Sequence, residues 1–299
     1  MALTPERLAT WTQRFTLRRV EPAVSYDHNT KAGNRGDVVK HTALMAALGA
    51  VLEAWEGREF LFADTFAGYA HSPLQPGLEW ESGIGKIRQV ASRTFRQPSL
   101  QRWFDWYVAP RPWPHFGTYP GSSVIALDVA ESLGKDLRVA AWETSASCVA
   151  SLMKALGIRK HMVRTRPAKP AEEDVQRACF LFIDPPNQTE HWKRGTRIVQ
   201  TFLPLAVPNV LVWLPLHCRG VSGNPPPLSK GGINAQGDAP AGYGATQVRW
   251  DHQRVAAQPI VGCQLIHRFQ LPAAGRSLRE AVDEVSGLTW TPAWTVTHS

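Results

Sequence analysis

Residues 178–187 read Ala-Cys-Phe-Leu-Phe-Ile-Asp-Pro-Pro-Asn, an apolar run that ends in Asp184, two prolines and Asn187. Apolar runs of four to eight residues that are bounded by turn residues are typical of buried strands. Pro185 and Pro186 have no N–H and cannot continue a hydrogen-bond ladder, so the strand is predicted to end before them. The Asp184 carboxylate is then expected at the carboxyl edge of a sheet, where ligands bind in open α/β folds.

Other apolar runs alternate with helical patterns along the chain. The runs predicted to be strands are 59–64, 138–143, 161–165, 178–183 and 209–214, with a late antiparallel strand at 261–270. The segments predicted to be helices are 37–55, 123–133, 145–156 and 277–286. Strands that alternate with helices indicate βαβ units, and therefore an α/β fold with a mainly parallel sheet.

The helix over 37–55 is predicted to be amphipathic and capped by Asn34 or Asp37. Its apolar face would carry Val38, Met45, Leu48, Leu52 and Trp55. Lys40 and His41 fall in its first turns, where the helix dipole disfavours cations. Their position therefore suggests a bound anion or a carboxylate nearby, although a surface lysine beside a packed histidine fits the sequence as well.

Two segments interrupt the alternation. Residues 73–118 have no strand pattern, are rich in aromatic residues, and are predicted to form an inserted helical subdomain. Residues 86–115 contain one acidic residue, Asp105, and six basic residues. The basic residues are Lys86, Arg88, Arg93, Arg96, Arg102 and Arg111. Such a segment can bind nucleic acid through phosphates and stacking, or it can pack a small core beneath a solvated face. Residues 220–247 are rich in glycine and proline and are predicted to form a long loop.

Composition sets limits on the class of protein. The formal net charge of +8 over 299 residues permits a polyanionic partner without requiring one. The four cysteines lie 31 or more residues apart with no Cys/His metal spacing, so they are predicted to be separate reduced thiols and no metal site is expected. No apolar stretch is long enough for a membrane helix and no signal peptide is recognisable. A cytoplasmic protein is the expectation.

Several motifs, in order along the chain, resemble one family. Residues 26–41 read Tyr-Asp-His-Asn-Thr-Lys-Ala-Gly-Asn-Arg-Gly-Asp-Val-Val-Lys-His, 64–68 read Asp-Thr-Phe-Ala-Gly, 119–122 read Tyr-Pro-Gly-Ser, and Asp-Pro-Pro stands at 184–186. These motifs are similar to those of the bacterial 23S ribosomal RNA adenine-N6 methyltransferases. The similarity can be followed from about residue 24 to residue 290, with the helical insertion included.

This resemblance implies a Rossmann-like methyltransferase that uses S-adenosylmethionine, with residues 1–22 as an extension before a domain over 23–299. By position, the cofactor would be surrounded by Lys40, His41, Asp64, Gly68, Ser122, Glu143 and Asp184. Glu143 would accept hydrogen bonds from the ribose, a role that its place after a strand also favours. Asp184 and the Pro185 carbonyl would accept hydrogen bonds from the target amine. Tyr26 and His28 would belong to a mobile amino-terminal segment that covers the site.

The chain departs from the family pattern at several places, among them Phe66, which stands where the family has histidine. Tyr69 and Ala70 follow Gly68 where the family has Ala-Gly, and the family's Asp-Gly pair is missing from 165–169. Asn187 replaces the aromatic residue that would stack on a flipped-out base, a contact of roughly 1–3 kcal/mol. As a substrate-binding residue, together with Arg102 and Arg111, Asn187 could hydrogen-bond a base but could not stack on it.

Three functions are consistent with these observations. The first is methylation of a ribosomal RNA adenine at N6. The second is methylation of another amine, on a small molecule or a protein, which Asn187 and the loop 220–247 favour. The third is a non-catalytic member of the fold that binds RNA or protein. Retention of Lys40, His41, Glu143 and Asp184 together argues against the third.

Overall fold

The structure, a computed structural model, describes residues 31–89, 94–109, 117–157, 162–164, 172–185, 199, 201–217, 242–250, 260–288 and 294–299. Its strands are β1 (Phe60–Asp64), β2 (His71–Pro73), β3 (Thr118–Pro120), β4 (Leu137–Trp142), β5 (Met162–Arg164), β6 (Phe180–Ile183), β7 (Asn209–His217), β8 (Gly244–Arg249), β9 (Ile260–Phe269) and β10 (Thr295–His298). Its helices are α1 (Arg35–Glu53), α2 (Ile84–Arg88), α3 (Pro98–Trp103), α4 (Ser122–Ser132), α5 (Ala146–Leu156), α6 (Glu172–Gln176) and α7 (Pro272–Ser286).

Eight of these strands form one sheet in the order β10-β8-β9-β7-β6-β1-β4-β5. Parallel pairing joins β7, β6, β1, β4 and β5 in that order. Antiparallel pairing joins β7 to β9, β9 to β8 and β8 to β10. This is a Rossmann-like α/β sheet, as the sequence predicts. The chain runs from β1 outward through β4 to β5 and then returns to β6. The strand order therefore reverses between β1 and β6, and ligands bind outside the carboxyl ends of strands at such a reversal.

Alternation along the central strands explains why both faces of the sheet are covered. In β1, Phe60 and Phe62 join the hydrophobic cluster that contains α1, while Ala63 belongs to a second cluster on the other face. In β6, Phe182 and Ile183 divide between the two clusters in the same way. Successive side chains of a strand point to opposite faces, so a strand that is apolar at every position is buried on both sides.

Helix α1 is enclosed on almost every side, which the amphipathic pattern does not predict. It contacts α7, α4 and α3 as well as β7 and β9, and its buried residues run from Gly36 almost continuously to Leu52. The predicted face ending in Trp55 is therefore wrong in extent, and Trp55 itself lies beyond the last helical residue, Glu53. A helix surrounded by other elements has no solvent-facing side for polar residues to mark.

The predicted insertion over 73–118 is helical in its described part. It contains α2, α3, and a short π-helical turn, Phe104–Val108. Its ends are strand residues, because β2 and β3 pair antiparallel and bring the two ends of the insertion together. The aromatic residues Phe95, Trp103 and Phe104 are buried in the same cluster as α1. Packing into the common core therefore accounts for these three aromatics.

At the carboxyl-terminal end of the chain, three differences from the sequence prediction stand out. Residues 244–247 are predicted to be part of a loop but belong to β8. The adjacent polar residues Thr246 and Gln247 interrupt the alternation of apolar and polar residues that predicts a strand. The helix predicted over 277–286 begins five residues earlier, at Pro272. Strand β10, which no apolar pattern marks, pairs with β8. Residues 220–241 of the predicted loop lie outside the described residues.

Candidate active site

Asp184 and Lys40 form the ion pair at the centre of the candidate site. The ammonium of Lys40 lies 2.5 Å from Asp184 Oδ2 and 2.7 Å from Asp37 Oδ1. The side chains of Lys40 and Asp37 are each 5% exposed and that of Asp184 is 17% exposed. The expectation that a carboxylate lies near the cation in the first turns of α1 is confirmed, and there are two such carboxylates.

The charges around Lys40 decide its protonation. Burial favours the neutral amine and would lower the pKa of Lys40, but Asp184 and Asp37 outweigh burial and raise that pKa above its usual range. The ammonium therefore keeps its proton at any physiological pH. Its Nζ atom also lies 5.5 Å from the ring centroid of Trp213 on β7, within the range of a cation–π contact.

The beginning of α1 fixes this lysine in place. The side chain of Asn34 caps the helix by accepting a hydrogen bond from the Asp37 N–H at 3.0 Å. Asp37 in return accepts one from the Gly33 N–H at 2.7 Å, so the two side chains form a reciprocal cap. Gly33 has φ of 76°, a conformation that L side chains rarely adopt. The helix therefore starts at a defined residue, and Lys40 follows one turn later.

Asp64 ends the neighbouring strand β1 and has a different environment. It is fully buried, and its Oδ2 accepts hydrogen bonds from the Ser122 hydroxyl at 2.6 Å and the Ser123 hydroxyl at 2.8 Å. Burial raises the pKa of Asp64 to about 6; the two serine hydroxyls oppose that rise and the charge of Asp184 adds to it. The strand-end carboxylate predicted here thus connects β1 to the first turn of α4.

The turn that leads into α4 requires glycine at one position. A Cβ atom at Gly121 would lie 2.3 Å from the Tyr69 carbonyl oxygen, a distance that no side chain can accommodate. The two segments that follow β1 and β3 therefore approach each other at backbone distance. Gly68, in the first of these segments, has φ of 63° and no atom within 4 Å of where its Cβ would be.

Glu143 joins the turns that follow β1 and β4. Its Oε2 accepts a hydrogen bond from the Gly68 N–H at 2.9 Å, and its Oε1 accepts from the N–H groups of Thr144 and Ser145 at 2.5 and 2.8 Å. The residue is partly exposed. Nearby, the hydroxyl of Tyr69 lies 2.8 Å from the Ser147 hydroxyl on the first turn of α5. Tyr69 therefore spans from the β1 turn to the α5 start.

His41 is buried beside the insertion. Its Nδ1 lies 2.9 Å from the hydroxyl of Tyr119, on which its ring also stacks with centroids 5.4 Å apart. The indole N–H of Trp103 donates to the same hydroxyl at 3.3 Å. Histidine 41 is 2% exposed, Tyr119 1% and Trp103 0%, so the three polar groups meet away from solvent.

The predicted site residues are thus brought together only in part. Around the carboxyl ends of β1, β4 and β6 the structure gathers most of them: Lys40, His41, Asp64, Gly68, Ser122, Glu143, Asp184 and Pro185. Arg102 lies apart from them, because it contacts Glu53 at the far end of α1 and Ser132 at the end of α4. Tyr26, His28, Arg111, Asn187 and the segment 165–169 lie outside the described residues.

Four residues of this site had no role assigned from the sequence. These are Asp37 as an ion-pair partner, Ser123, Tyr119 and Trp103. Asp37 and Lys40 stand three positions apart on one helix, the spacing at which side chains meet, so that pair had a signal in the sequence. The hydrogen bond between Trp103 and Tyr119 had none, because a pairing between a helix and a short strand leaves no periodic trace.

Within the described ranges, no group of three or more histidine, cysteine or acidic residues is placed to hold a metal ion. Cys148, Cys179 and Cys263 are free thiols. Among the same residues, no helix combines the length and the apolar character needed to cross a membrane.

Comparisons with known proteins indicate the general class of this chain. No family model matches the sequence. Over 213 residues the chain is 26% identical to Ribosomal RNA large subunit methyltransferase J of Escherichia coli strain K12, an alignment that covers 66% of this chain and 71% of that protein. The chain resembles a methyltransferase. That level of identity supports the general class and leaves the methylated group undefined.

Solved structures match the fold. The crystal structure of protein LPL1258 from Legionella pneumophila strain Philadelphia 1 gives a TM-score of 0.69 at 15% sequence identity and covers 90% of this chain and 97% of that one. The putative methyltransferase yhhF of Escherichia coli reaches a TM-score of 0.27, which is too low to indicate a shared fold. The first comparison therefore shows that the two proteins share a fold over most of their length.

Proposed function

We propose that the protein is an S-adenosylmethionine-dependent N-methyltransferase that acts on adenine N6 of ribosomal RNA. The observation that carries this proposal is the Asp184 carboxylate at the carboxyl end of β6, followed by the rigid Pro185 and joined to Lys40 by an ion pair. The sequence similarity to a ribosomal RNA methyltransferase supports the same reaction class.

The residues present fit the cofactor. A partly exposed carboxylate, Glu143, stands at the end of β4, where a ribose is bound in Rossmann-like sheets. Beside it, Gly68 leaves open space where a side chain would otherwise stand. Glu143 Oε1 accepts from the N–H groups of Thr144 and Ser145 and, at 3.5 Å, from the Thr144 hydroxyl. Its Oε2 accepts from the Gly68 N–H, and because a carboxylate oxygen has two acceptor positions, the second position on Oε2 suits a ribose hydroxyl. Asp64, Ser122 and His41 would form the adjoining wall. When bound, the cofactor supplies the methyl group.

The protein's own contribution is to hold the amine. The nitrogen of an adenine amine is a poor nucleophile because its lone pair is delocalised into the ring. Hydrogen bonds from this amine to the Asp184 carboxylate and the Pro185 carbonyl would favour a tetrahedral nitrogen, and Asp184 would take the proton that the amine loses. Lys40 binds one Asp184 oxygen and keeps the carboxylate oriented. Alignment of the two reacting groups can itself lower the barrier by several kcal/mol.

Cofactor binding is the first test. Calorimetry with S-adenosylmethionine should detect binding to the wild-type protein and about tenfold weaker binding to Glu143→Ala, because a charge-assisted hydrogen bond to the ribose is lost. Glu56→Ala, which removes an exposed carboxylate outside the site, is the matched control. Absence of binding to the wild-type protein would overturn the proposal.

RNA as the acceptor is tested by salt dependence. Transfer of a labelled methyl group to ribosomal RNA that lacks the modification should occur, and RNA affinity should fall steeply with salt. Arg96→Gln should reduce the salt slope by about one, because the Arg96 side chain is 93% exposed in the basic insertion. Arg138→Gln, at the amino end of β4 and paired with Glu59, should leave the slope unchanged.

A second candidate is methylation of a small-molecule or protein amine. Asn187 favours it, since an amide cannot stack on a base as an aromatic residue would. In that case the cofactor would bind as described, whereas RNA affinity would be weak and transfer to ribosomal RNA would not occur.

A further inference from the structure

The buried contact between the insertion and α1 has a consequence for one proton. The Trp103 N–H lies 3.3 Å from the Tyr119 hydroxyl oxygen, and that oxygen lies 2.9 Å from His41 Nδ1. All three residues are 2% exposed or less. They come from three parts of the chain: the end of α3, the strand β3 and the second turn of α1.

The direction of each hydrogen bond follows from what the groups can donate. An indole nitrogen is only a donor, so the Tyr119 oxygen accepts from Trp103. Tyr119 has a single hydroxyl proton, and the imidazole Nδ1 beside it is an acceptor only when it is unprotonated. If His41 Nδ1 donated instead, the Tyr119 oxygen would accept both hydrogen bonds, and its own buried proton would have no acceptor among the described residues. The arrangement in which Tyr119 donates to Nδ1 therefore satisfies the phenol as both donor and acceptor. In a neutral imidazole that places the histidine proton on Nε2.

We infer that Tyr119 holds His41 as the neutral Nε2–H tautomer and that Trp103 keeps the Tyr119 hydroxyl turned toward His41. Tyr119 and Trp103 are therefore positioning residues that act through His41. Through Trp103, the helical insertion fixes the hydrogen-bonding character of a side chain in the site.

The state of the phenol supports this assignment. Burial raises the pKa of Tyr119 above its usual range, and the charge of Asp37 adds to that rise, while Trp103 and Lys40 act against it. The hydroxyl therefore keeps its proton at physiological pH and remains able to donate it to His41. The ring stacking between the two residues restricts rotation of the imidazole.

The consequence for ligand binding rests on the proposed function. An Nε2–H group is a hydrogen-bond donor, which suits an acceptor oxygen such as the carboxylate of the amino-acid moiety of S-adenosylmethionine. With the opposite tautomer, Nε2 would present a lone pair to that carboxylate and repel it. The Trp103–Tyr119 pair would thus select a carboxylate at this position of the cofactor site.

The tautomer can be measured directly on the full chain without any cofactor. Long-range proton–nitrogen correlation spectra of protein labelled with ¹⁵N-histidine distinguish the two neutral forms, and the loss of one set of signals in His41→Gln identifies His41. The expected wild-type result is a protonated Nε2 and an unprotonated Nδ1. Protonation of Nδ1 in the wild-type protein would overturn the inference, whatever the variants show.

Two variants and a matched control complete the test. Tyr119→Phe keeps the stacked ring but removes the hydroxyl, so a mixture of both tautomers is expected; an unchanged His41 spectrum contradicts the inference. Trp103→Phe should shift the balance by a smaller amount. Tyr107→Phe removes another hydroxyl of the insertion, which donates to Asp128 at 2.5 Å, and should leave His41 unaltered.

Calorimetry separates this inference from the proposed function. Affinity for S-adenosylmethionine should fall roughly five- to tenfold in Tyr119→Phe, the effect of one misdirected hydrogen bond, and should be unchanged in Tyr107→Phe. Unchanged affinity in a Tyr119→Phe protein with altered tautomers would overturn the ligand role of His41. If the wild-type protein binds no cofactor, the proposed function fails while the spectra still decide the tautomer.

Discussion

Asp64 and Asp184 end two adjacent parallel strands, and the protein treats these two identical side chains in opposite ways. Asp184 follows β6, is partly exposed, and faces the buried ammonium of Lys40. Asp64 ends β1, is fully buried, and is held by the two hydroxyl groups of Ser122 and Ser123. A cation favours the ionised form of a carboxylate, whereas hydroxyl groups in a buried site stabilise it less.

This difference separates two tasks. A carboxylate that is partly open to solvent and ion-paired on one oxygen can accept a hydrogen bond from a ligand and take a proton from it. A carboxylate sealed inside the core connects structural elements, and here Asp64 joins the end of β1 to the start of α4. Asp184 also raises the pKa of Asp64, so the two groups are coupled through space. Position at a strand end alone therefore does not define a role.

The largest effect is expected from Asp184→Asn. This change removes the group that is proposed to receive the amine proton, and methyl transfer should fall by about 10²- to 10⁴-fold. Cofactor affinity, measured by calorimetry, should change little. The control is Asp128→Asn. It removes a carboxylate on α4 that accepts a hydrogen bond from Tyr107, and it should leave methyl transfer unchanged. Undiminished transfer by Asp184→Asn would exclude Asp184 from the mechanism.

The next largest effect is expected from Lys40→Met, and it concerns the stability of the protein. Without the ammonium, Asp37 and Asp184 face each other in a nearly dry site, and the free energy of unfolding should fall by about 4 kcal/mol. Urea denaturation at pH 7 measures this, with Lys154→Met on the exposed side of α5 as control. The loss should shrink at low pH, because protonation of the carboxylates removes their need for a partner. A stability equal to that of the wild-type protein would show that the ion pair contributes nothing.

The smallest effect is expected from Asp64→Asn and appears as a pH dependence. The pKa of Asp64 rises from 3.8 to about 6 on folding, so the native state binds its proton more tightly than the unfolded state does. The free energy of unfolding should therefore fall as pH rises from about 4 to 6, by about 3 kcal/mol from this residue. Asp64→Asn has no such proton, so its stability relative to the wild-type protein should rise by that amount over the same range.

Denaturation curves at pH 4, 5, 6 and 7 would measure this difference. A stability difference that is constant with pH would show that Asp64 titrates at its ordinary value. Asp184→Asn should act in the same direction more weakly, since it removes the nearby charge that contributes to the raised pKa of Asp64.

The sequence predicted the strands that carry both aspartates because each is apolar at every position and ends in a polar turn. It also predicted a carboxylate near Lys40, from the position of a cation at the wrong end of a helix. It did not identify Asp184 as that carboxylate, because 144 residues separate the pair and only the sheet order brings them together.

Elsewhere the pattern carried less information. The enclosed helix α1 shows no polar side, so its burial could not be predicted from its periodicity. In strand β8, Thr246 and Gln247 stand side by side between Ala245 and Val248, so no apolar alternation marks the strand, and its pairing with β9 defines it. The contact of Trp103 with Tyr119 depends on how the insertion folds back on the sheet, which no local pattern encodes.

The packing of α1 also determines when the protein can fold. This helix lies near the beginning of the described residues and contacts α7, which lies near their end. Strand β1 likewise pairs with β4 and β6, which both follow it in the chain. Contacts between distant parts of a chain are slow to form and are unavailable while the later part is missing. During synthesis, the side of α1 that α7 covers would therefore stay exposed until α7 emerges. A nascent chain of this kind has a long interval in which a chaperone can bind α1, and a truncation before residue 272 should leave the helix without a fold to enclose it.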